Sequence, residues 1–383
     1  MLEAFFWIAV LMVLYTYAGY ALVLRLMPKA PRPEITGQFS PPVSIIIAAY
    51  KGAGVIKQKL DNTLASDYPR AKLEVIVVTD GSDDGTDTIV ERYGDPCVSL
   101  IRQVPRAGKT AAQKKGVAAA KYEILIFTDL TTVLESKSIP ELVKNLEDPS
   151  IGLVSSEDIW VKLDGTTTES AQGAYVKYEM WLRNRESEIS SIVSASGCFY
   201  AVRKMFFEPI PDYLIDDTVI PLTVAEHGFR CLHHADARSY VPMIPSADRE
   251  FTRRARMTLG GINALMYKKG LLNPLKYGFY SVQLWSHKMF RWLVPFGLLA
   301  ALITNARLVS HDPLSFWGIA MLAQLGLYAA AVVGFVRRNQ PSTHKLIRLS
   351  YFFVSSNLAL LLSWYQFVTS GKQTTWSESR GQA

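Results

Sequence analysis

Cysteine is scarce: Cys97, Cys198 and Cys231 are the three in 383 residues, odd in number and without CxxC spacing. That excludes a disulfide framework and a thiolate zinc site. Charge is thin as well, 20% of residues against 49% hydrophobic. The balance excludes a disordered chain and is more apolar than most soluble enzymes. The formal charge of +7 comes without a basic stripe interleaved with aromatics, so nucleic acid is not the expected partner. Two phosphate-binding fingerprints are incomplete. Gly52 and Gly54 begin a GxG, but Lys57 stands where the third glycine belongs; Gly108-Lys109-Thr110 ends like a P-loop, but Gln103 stands where its first glycine belongs. A Rossmann dehydrogenase and a P-loop NTPase are therefore excluded. No internal repeat or low-complexity tract is present.

What is abundant is apolar sequence, unevenly placed. Residues 4–24 carry no charge and would reach about 30 Å as a helix, the thickness of a bilayer core. A cleaved signal peptide would need a basic start and small residues at a cleavage site; Glu3 is the only early charge, which favours a retained span. Three further apolar blocks, at about 289–304, 314–336 and 349–369, meet the same length criterion. Arg25, Lys29 and Arg32 follow the first span, and Arg337, Arg338, Lys345 and Arg348 separate the last two. Basic flanks stay cytosolic, so four crossings put the long middle region in the cytosol.

That middle region alternates strand and helix. VSIIIAAY (43–50) is a continuous β-branched run, as a parallel strand buried on both faces requires. LEVIVVT (73–79), 98–101 and YEILIFT (122–128) follow, separated by helices ending near Ala65 and spanning 84–93 and 109–120. The order predicts an α/β, doubly wound, mostly parallel sheet, with ligands beyond the carboxyl ends of its strands. Four such tips carry Ala49-Tyr50, Asp80-Gly81-Ser82, the Arg102 region and Asp129. Helices are further expected at 171–190 and 250–268.

Each polar cluster has a structural and a chemical reading. Ser82 to Thr86 suit a turn and a helix cap, whereas Asp80, at the strand tip, can accept from a base or ribose. Asp129 can cap a helix or help hold Mg²⁺ or Mn²⁺ together with substrate phosphates. Asp216-Asp217 fits a helix N-terminus, but paired like charges raise one pKa and suit a general base. Glu157-Asp158 is a rival pair in what looks like a strand entering a loop. Arg253, Arg254 and Arg256 can fork onto a diphosphate or lie on anionic headgroups.

In order along the chain, VSIIIAAY, EVIVVTDGSDDGT, GK at 108–109, FTD at 127–129, SGCFYAVRK at 196–204, IDDTVIPLTVAEHG at 215–228 and RRARMTLGG at 253–261 resemble the family 2 glycosyltransferases. The layout of one span before and several after is similar to membrane polysaccharide synthases. The resemblance implies a GT-A fold and division into a membrane helix (1–27), a linker (28–42), the glycosyltransferase domain (43–268), an interfacial segment (269–288), membrane helices (289–370) and a polar tail (371–383). It implies a nucleotide-sugar donor, UDP-linked, with Ala49, Tyr50, Asp80, Ser82 and Lys109 on the donor side and Asp80 near the uracil. Asp129 would contact a diphosphate-bound divalent metal, and Arg254 and Arg256 the leaving diphosphate. Asp217 would deprotonate the acceptor, with Gly197 and Asp216 on the acceptor side. The acceptor would be lipid-linked or a saccharide at the headgroup level, and the site that of an inner-membrane, multi-pass protein of bacterial type.

Departures from the family pattern matter. Its DxD reads Asp129-Leu130-Thr131, so the second carboxylate is missing, and Lys51 and Lys114 stand where asparagine is common. The glutamine-and-tryptophan motif of processive synthases reads Arg253-Arg254-Ala255-Arg256-Met257. Without that tryptophan, transfer of one sugar is expected rather than chain synthesis with export. A processive synthase and a catalytically silent nucleotide-binding scaffold are the alternatives. His287, in Ser286-His287-Lys288 beside Arg291-Trp292, reads as part of an interfacial anchor.

Overall fold

The computed structural model describes residues 1–31, 35–161, 171–208, 210–243, 247–338, 340 and 343–369. Arg32 and Pro33 of the linker, and the expected tail at 371–383, lie outside them. Eight strands form one mixed sheet: β1 (Val43–Ala49), β2 (Leu73–Asp80), β3 (Val98–Gln103), β4 (Ile124–Thr128), β5 (Val133–Leu134), β6 (Ile151–Val161), β7 (Phe199–Arg203) and β8 (Arg230–Pro242), ordered β3-β2-β1-β4-β7-β6-β8-β5. The four strands from β3 to β4 are parallel, as their β-branched runs predict. β7 runs antiparallel to both its neighbours, and β6 pairs parallel with β8.

Helices cover both faces. α2 (Ile56–Leu64) and α5 (Ser138–Lys144) pack on Val43, Ile45 and Ile47; α4 (Lys109–Ala119), α7 (Asp216–Glu226) and α8 (Ala247–Tyr267) pack on the face of Ile46, Ile76 and Val78. α3 (Thr86–Glu91) and α6 (Ala171–Ile189) complete the domain. Alternate residues of β1 thus enter two separate cores, the period-2 consequence of a pleated strand. The order of strands reverses beside β1, which places a crevice at the carboxyl ends of β1 and β4.

Among the described residues, four helices are long and apolar enough to cross a membrane: α1 (Leu2–Leu26), α9 (Phe279–Val309), α10 (Phe316–Val336) and α11 (Lys345–Thr369). α9 begins within the stretch expected to be interfacial. Its polar start stays helical because Gln283 donates to Ser191 O (3.0 Å) and Lys288 Nζ to Ser194 Oγ (2.8 Å). Both α1 and α9 contain a π-helical turn, at Tyr15–Gly19 and Leu284–Met289, and the two meet where Tyr15 Oη lies 2.8 Å from Ser286 Oγ. The basic flanks sit on the domain's side: Lys29 pairs with Glu188 of α6 at 2.9 Å, and Arg338 approaches Asp248 of α8 at 4.0 Å.

Candidate active site

One cavity of about 770 Å³ occupies the crevice and continues down to the apolar helices. Of the residues singled out in the sequence, Tyr50, Lys109, Asp129, Gly197, Asp216, Asp217, Arg254 and Arg256 line it. Their convergence follows from the fold. Tyr50 and Asp129 directly follow β1 and β4, α4 begins at Lys109, α7 begins with the acid pair, and α8 brings the arginines across from a distant stretch.

Ala49, Asp80 and Ser82 are outside the lining. The pleat turns Ala49 into the opposite core, and Ala48 lines the cavity instead. Asp80 is fully buried at the β2 tip, where it accepts from Gln103 Nε2 (2.6 Å), Ala107 N (2.7 Å) and Gly108 N (3.0 Å). Its carboxylate ties the loop before α4 to the sheet. Arg106 from that loop lies 3.8 Å from Asp80 and stacks its guanidinium 3.6 Å above the Tyr50 ring. Ser82 accepts from Lys51 N (3.1 Å), Asp84 from Ala53 N (2.9 Å) and Thr86 Oγ1 from Gly52 N (2.9 Å). These bonds stitch two strand-end loops together, the turn-and-cap role open to such residues.

The acid pair is asymmetric. Asp216 accepts from Gln113 Nε2 (2.9 Å) and Tyr200 Oη (2.8 Å), with Lys109 Nζ 3.9 Å away. Among the described residues Asp217 takes a single side-chain hydrogen bond, from Thr218 Oγ1 at 3.1 Å. Burial, then the charge of Asp216, pushes Asp217 up to about 6, against the pull of Lys109. Asp217 is thus the less engaged carboxylate of the pair. Gly197 makes room for it: a Cβ at that position would lie 2.4 Å from Asp217 Oδ2.

Lys109 Nζ donates to Asp129 Oδ1 (2.8 Å) and to Gly197 O (3.2 Å). Burial alone would lower its proton affinity, but Asp129 and Asp216 hold it well above the usual lysine range. Behind Asp129 lies a residue with no motif to mark it. Lys59, 3% exposed, donates to Thr128 Oγ1 (2.8 Å) and Thr132 O (2.7 Å), clamping the turn that carries Asp129. Burial brings it down to about 7, with Asp129 opposing.

On α8, Glu250 receives Arg253 through two bonds of 2.8 Å and Arg254 at 3.1 Å. The i,i+3 and i,i+4 spacing of Glu250 before these arginines was available in the sequence. Arg254 also meets Ser356 and lies 4.5 Å from the Phe352 ring centre, both on α11. Trp160, from the far end of β6, lines the cavity with the Arg253 guanidinium 5.1 Å from its ring. An aromatic face is therefore present although position 257 is methionine. Asp158 of the rival acid pair is occupied by Ser196 and Ser239 hydroxyls, and Glu157 lies 2.8 Å from His233 Nε2. His287 is buried with its ring nitrogens 2.7 Å from Glu186 and 3.1 Å from Glu179.

Residues 44–209 match the model of glycosyl transferase family 2. Over that stretch the chain resembles the family 2 glycosyltransferases. It is 49% identical over 85 residues to an uncharacterized glycosyltransferase of Rickettsia typhi, covering 22% of this chain and 26% of that protein. It is 20% identical over 242 residues to the poly-beta-1,6-N-acetyl-D-glucosamine synthase of Staphylococcus aureus, covering 61% of this chain and 58% of the synthase. The chain thus spans about a quarter and somewhat over half of these relatives' lengths. The fold is that of the mannosyltransferase PcManGT from Pyrobaculum calidifontis, solved in complex with GDP-mannose and Mn²⁺: the TM-score is 0.73 at 22% identity, over 97% of this chain and all of that one. The sheet domain is therefore GT-A in architecture, accompanied among the described residues by four apolar helices.

Proposed function

We propose that the chain transfers a sugar from a nucleotide sugar, UDP-linked, to a hydroxyl of a membrane-associated or lipid-linked acceptor, with inversion. The observation that carries this reading is the asymmetric acid pair. Asp216 is held by three neighbours, while Asp217 faces the cavity with a proton affinity suited to a base near neutrality. Asp217 takes the acceptor's proton as its oxygen bonds to the anomeric carbon. The bond from that carbon to the diphosphate breaks on the opposite side, and the diphosphate departs as an anion. Arg254 and Arg256 bind that anion from α8, and Lys109 holds Asp129 in place beside it. Preorganised cations in a closed site stabilise developing charge without rearranging.

The residues present fit a divalent metal with one protein carboxylate. Asp129 has a side chain 30% exposed, lines the cavity and would hold the ion together with donor phosphates, an arrangement Mg²⁺ commonly accepts. When bound, such an ion supplies charge neutralisation at the diphosphate. The family, the four apolar helices and the basic flanks on the domain's side support placing the domain on the cytosolic face of a bacterial-type inner membrane, in envelope or exopolysaccharide synthesis.

Asp217→Asn should lower transfer by roughly 10²- to 10⁴-fold, the usual worth of a general base, while nucleoside diphosphate still binds. Transfer at the wild-type rate would remove Asp217 from the mechanism. A panel of nucleotide sugars read by released diphosphate identifies the donor. Trp160 favours one second reading, a processive synthase, because it offers a sugar-stacking face. A ladder of products instead of one addition would select it.

A further inference from the structure

Below the acid pair the cavity passes into the helices and changes sign. Its wall there carries Arg183 of α6 with Lys288 and Arg291 of α9. Arg291, 9% exposed, pairs with Glu179 and donates from Nη1 to Tyr175 Oη at 3.0 Å. Among the described residues its buried Nε and Nη2 have no acceptor, and Nε and Nη1 of Arg183 are in the same condition. Lys288 spends one donor on Ser194 Oγ. Buried donors are normally paired, and each unpaired one costs about 1–3 kcal/mol, more on a charged group. Glu186, the other nearby acid, is engaged through one oxygen by Tyr20 Oη at 2.6 Å and by His287, and among the described residues its second oxygen has no hydrogen-bond partner.

On α8, by contrast, Arg253 and Arg254 share their charge with Glu250, and Arg254 and Arg291 approach the same Tyr175 ring at 5.9 and 5.8 Å. The cluster of Arg183, Lys288 and Arg291 is close to the base, since Arg183 is among the charges that lower the proton affinity of Asp217. Phe352, Phe353 and Leu349 of α11 add an apolar wall to the same cavity, with Phe352 also 4.5 Å from the Arg254 guanidinium. Leu349 is 49% exposed, so that wall reaches the outer surface of the helices. Unused guanidinium forks beside an apolar exit match a phosphate attached to a hydrocarbon chain.

We propose that Arg183, Lys288 and Arg291 bind the phosphate of a phosphorylated lipid acceptor, presenting the sugar it carries to Asp217 while its chain leaves along α11. This rests on the transfer reading above and names its acceptor class. A headgroup of the surrounding bilayer would sit outside the helices, whereas these donors are buried within the cavity.

The test uses the full chain in phosphatidylcholine nanodiscs, with UDP or GDP saturating the donor side and farnesyl diphosphate titrated by calorimetry. Farnesyl diphosphate should bind alongside the nucleotide. Arg183→Gln or Lys288→Met should weaken it by about tenfold or more, with nucleotide affinity kept within about twofold, because one partner of a buried charge contact is removed. Full competition between nucleotide and farnesyl diphosphate in the wild type would overturn the proposal, as would unchanged affinity in both variants. So would equal affinity for inorganic pyrophosphate, or displacement by phosphatidylglycerol in the disc, which would point to a free phosphate or a headgroup. A variant that loses the nucleotide too has misfolded, and the wild-type competition then decides. If the wild type binds neither nucleotide, the transfer reading fails, and the titration without nucleotide still judges the lipid site.

Discussion

At the scale of single residues the site is governed by what Asp217 lacks. Because Asp217 must be ionised to accept a proton, transfer should fall as pH drops through about 6, the value to which burial and Asp216 raise it. A rate profile with its acid limb there checks the assignment. The same shift bears on folding. An acid whose folded pKa exceeds its unfolded value holds more protons when folded between about pH 4 and 6. Stability therefore falls as pH rises through that window and stays lower above it. A rise from 3.8 to about 6 corresponds to about 3 kcal/mol at neutral pH. Asp217→Asn should thus melt at a higher temperature than the wild type at pH 7.5, and the gap should close near pH 4. Gly197→Ala works in the other direction. Its Cβ would meet Asp217 Oδ2 at 2.4 Å, so the carboxylate must leave its position, and transfer should drop to the level of Asp217→Asn with the chain still folded by circular dichroism.

At the scale of elements, α4 is set against the sheet by a glycine. A Cβ on Gly116 would lie 2.7 Å from Ile46 Cγ2 and 3.2 Å from Val78 Cγ2, both on buried β-branched side chains with little freedom to yield. Gly116→Ala gains about 1 kcal/mol of helix propensity, against about 1–3 kcal/mol for overpacking a filled core. The net effect should be a lower melting temperature, together with weaker transfer, because Lys109 opens the same helix. The elements also show how far a sequence speaks. β1, β2 and β4 were readable because both their faces are buried, leaving unbroken runs of Val, Ile and Leu. β6 was legible only as a strand entering a loop at Glu157-Asp158, and β8 not at all, because they carry Ser155, Ser156, His233 and Ser239 into buried positions that hydrogen bonds alone make tolerable. The acids and arginines of the site were legible as types at the ends of elements. Which partners would occupy Asp80, or leave Asp217 open, depends on backbone amides and on Gln113 and Tyr200 arriving from other segments. Lys59, Trp160 and Arg183 carried no local signal at all.

At the scale of the whole molecule, the glycosyltransferase domain and the helices are joined by buried polar contacts rather than by apolar packing alone. Tyr20 of α1 donates to Glu186 of α6 at 2.6 Å, and His287 of α9 lies 2.7 Å from the same oxygen. Glu186 is fully buried, and its second oxygen has no hydrogen-bond partner. Arg185 of α6 donates at 2.8 Å to Leu24 O in the last turn of α1. A buried carboxylate in this state depends on each donor it has, and losing one costs about 1–3 kcal/mol. Tyr20→Phe keeps the ring and its packing while removing the hydroxyl, so it isolates that bond. The variant should melt several degrees below the wild type in detergent, as expected of a loss of that size in a chain this long. His287→Ala should cost at least as much, and the double substitution should depart from the sum, since both side chains meet one carboxylate oxygen and their effects cannot be independent. Additive losses would show that α1 and α9 are anchored to α6 separately, and that the junction beneath Asp217 is not one cooperative unit.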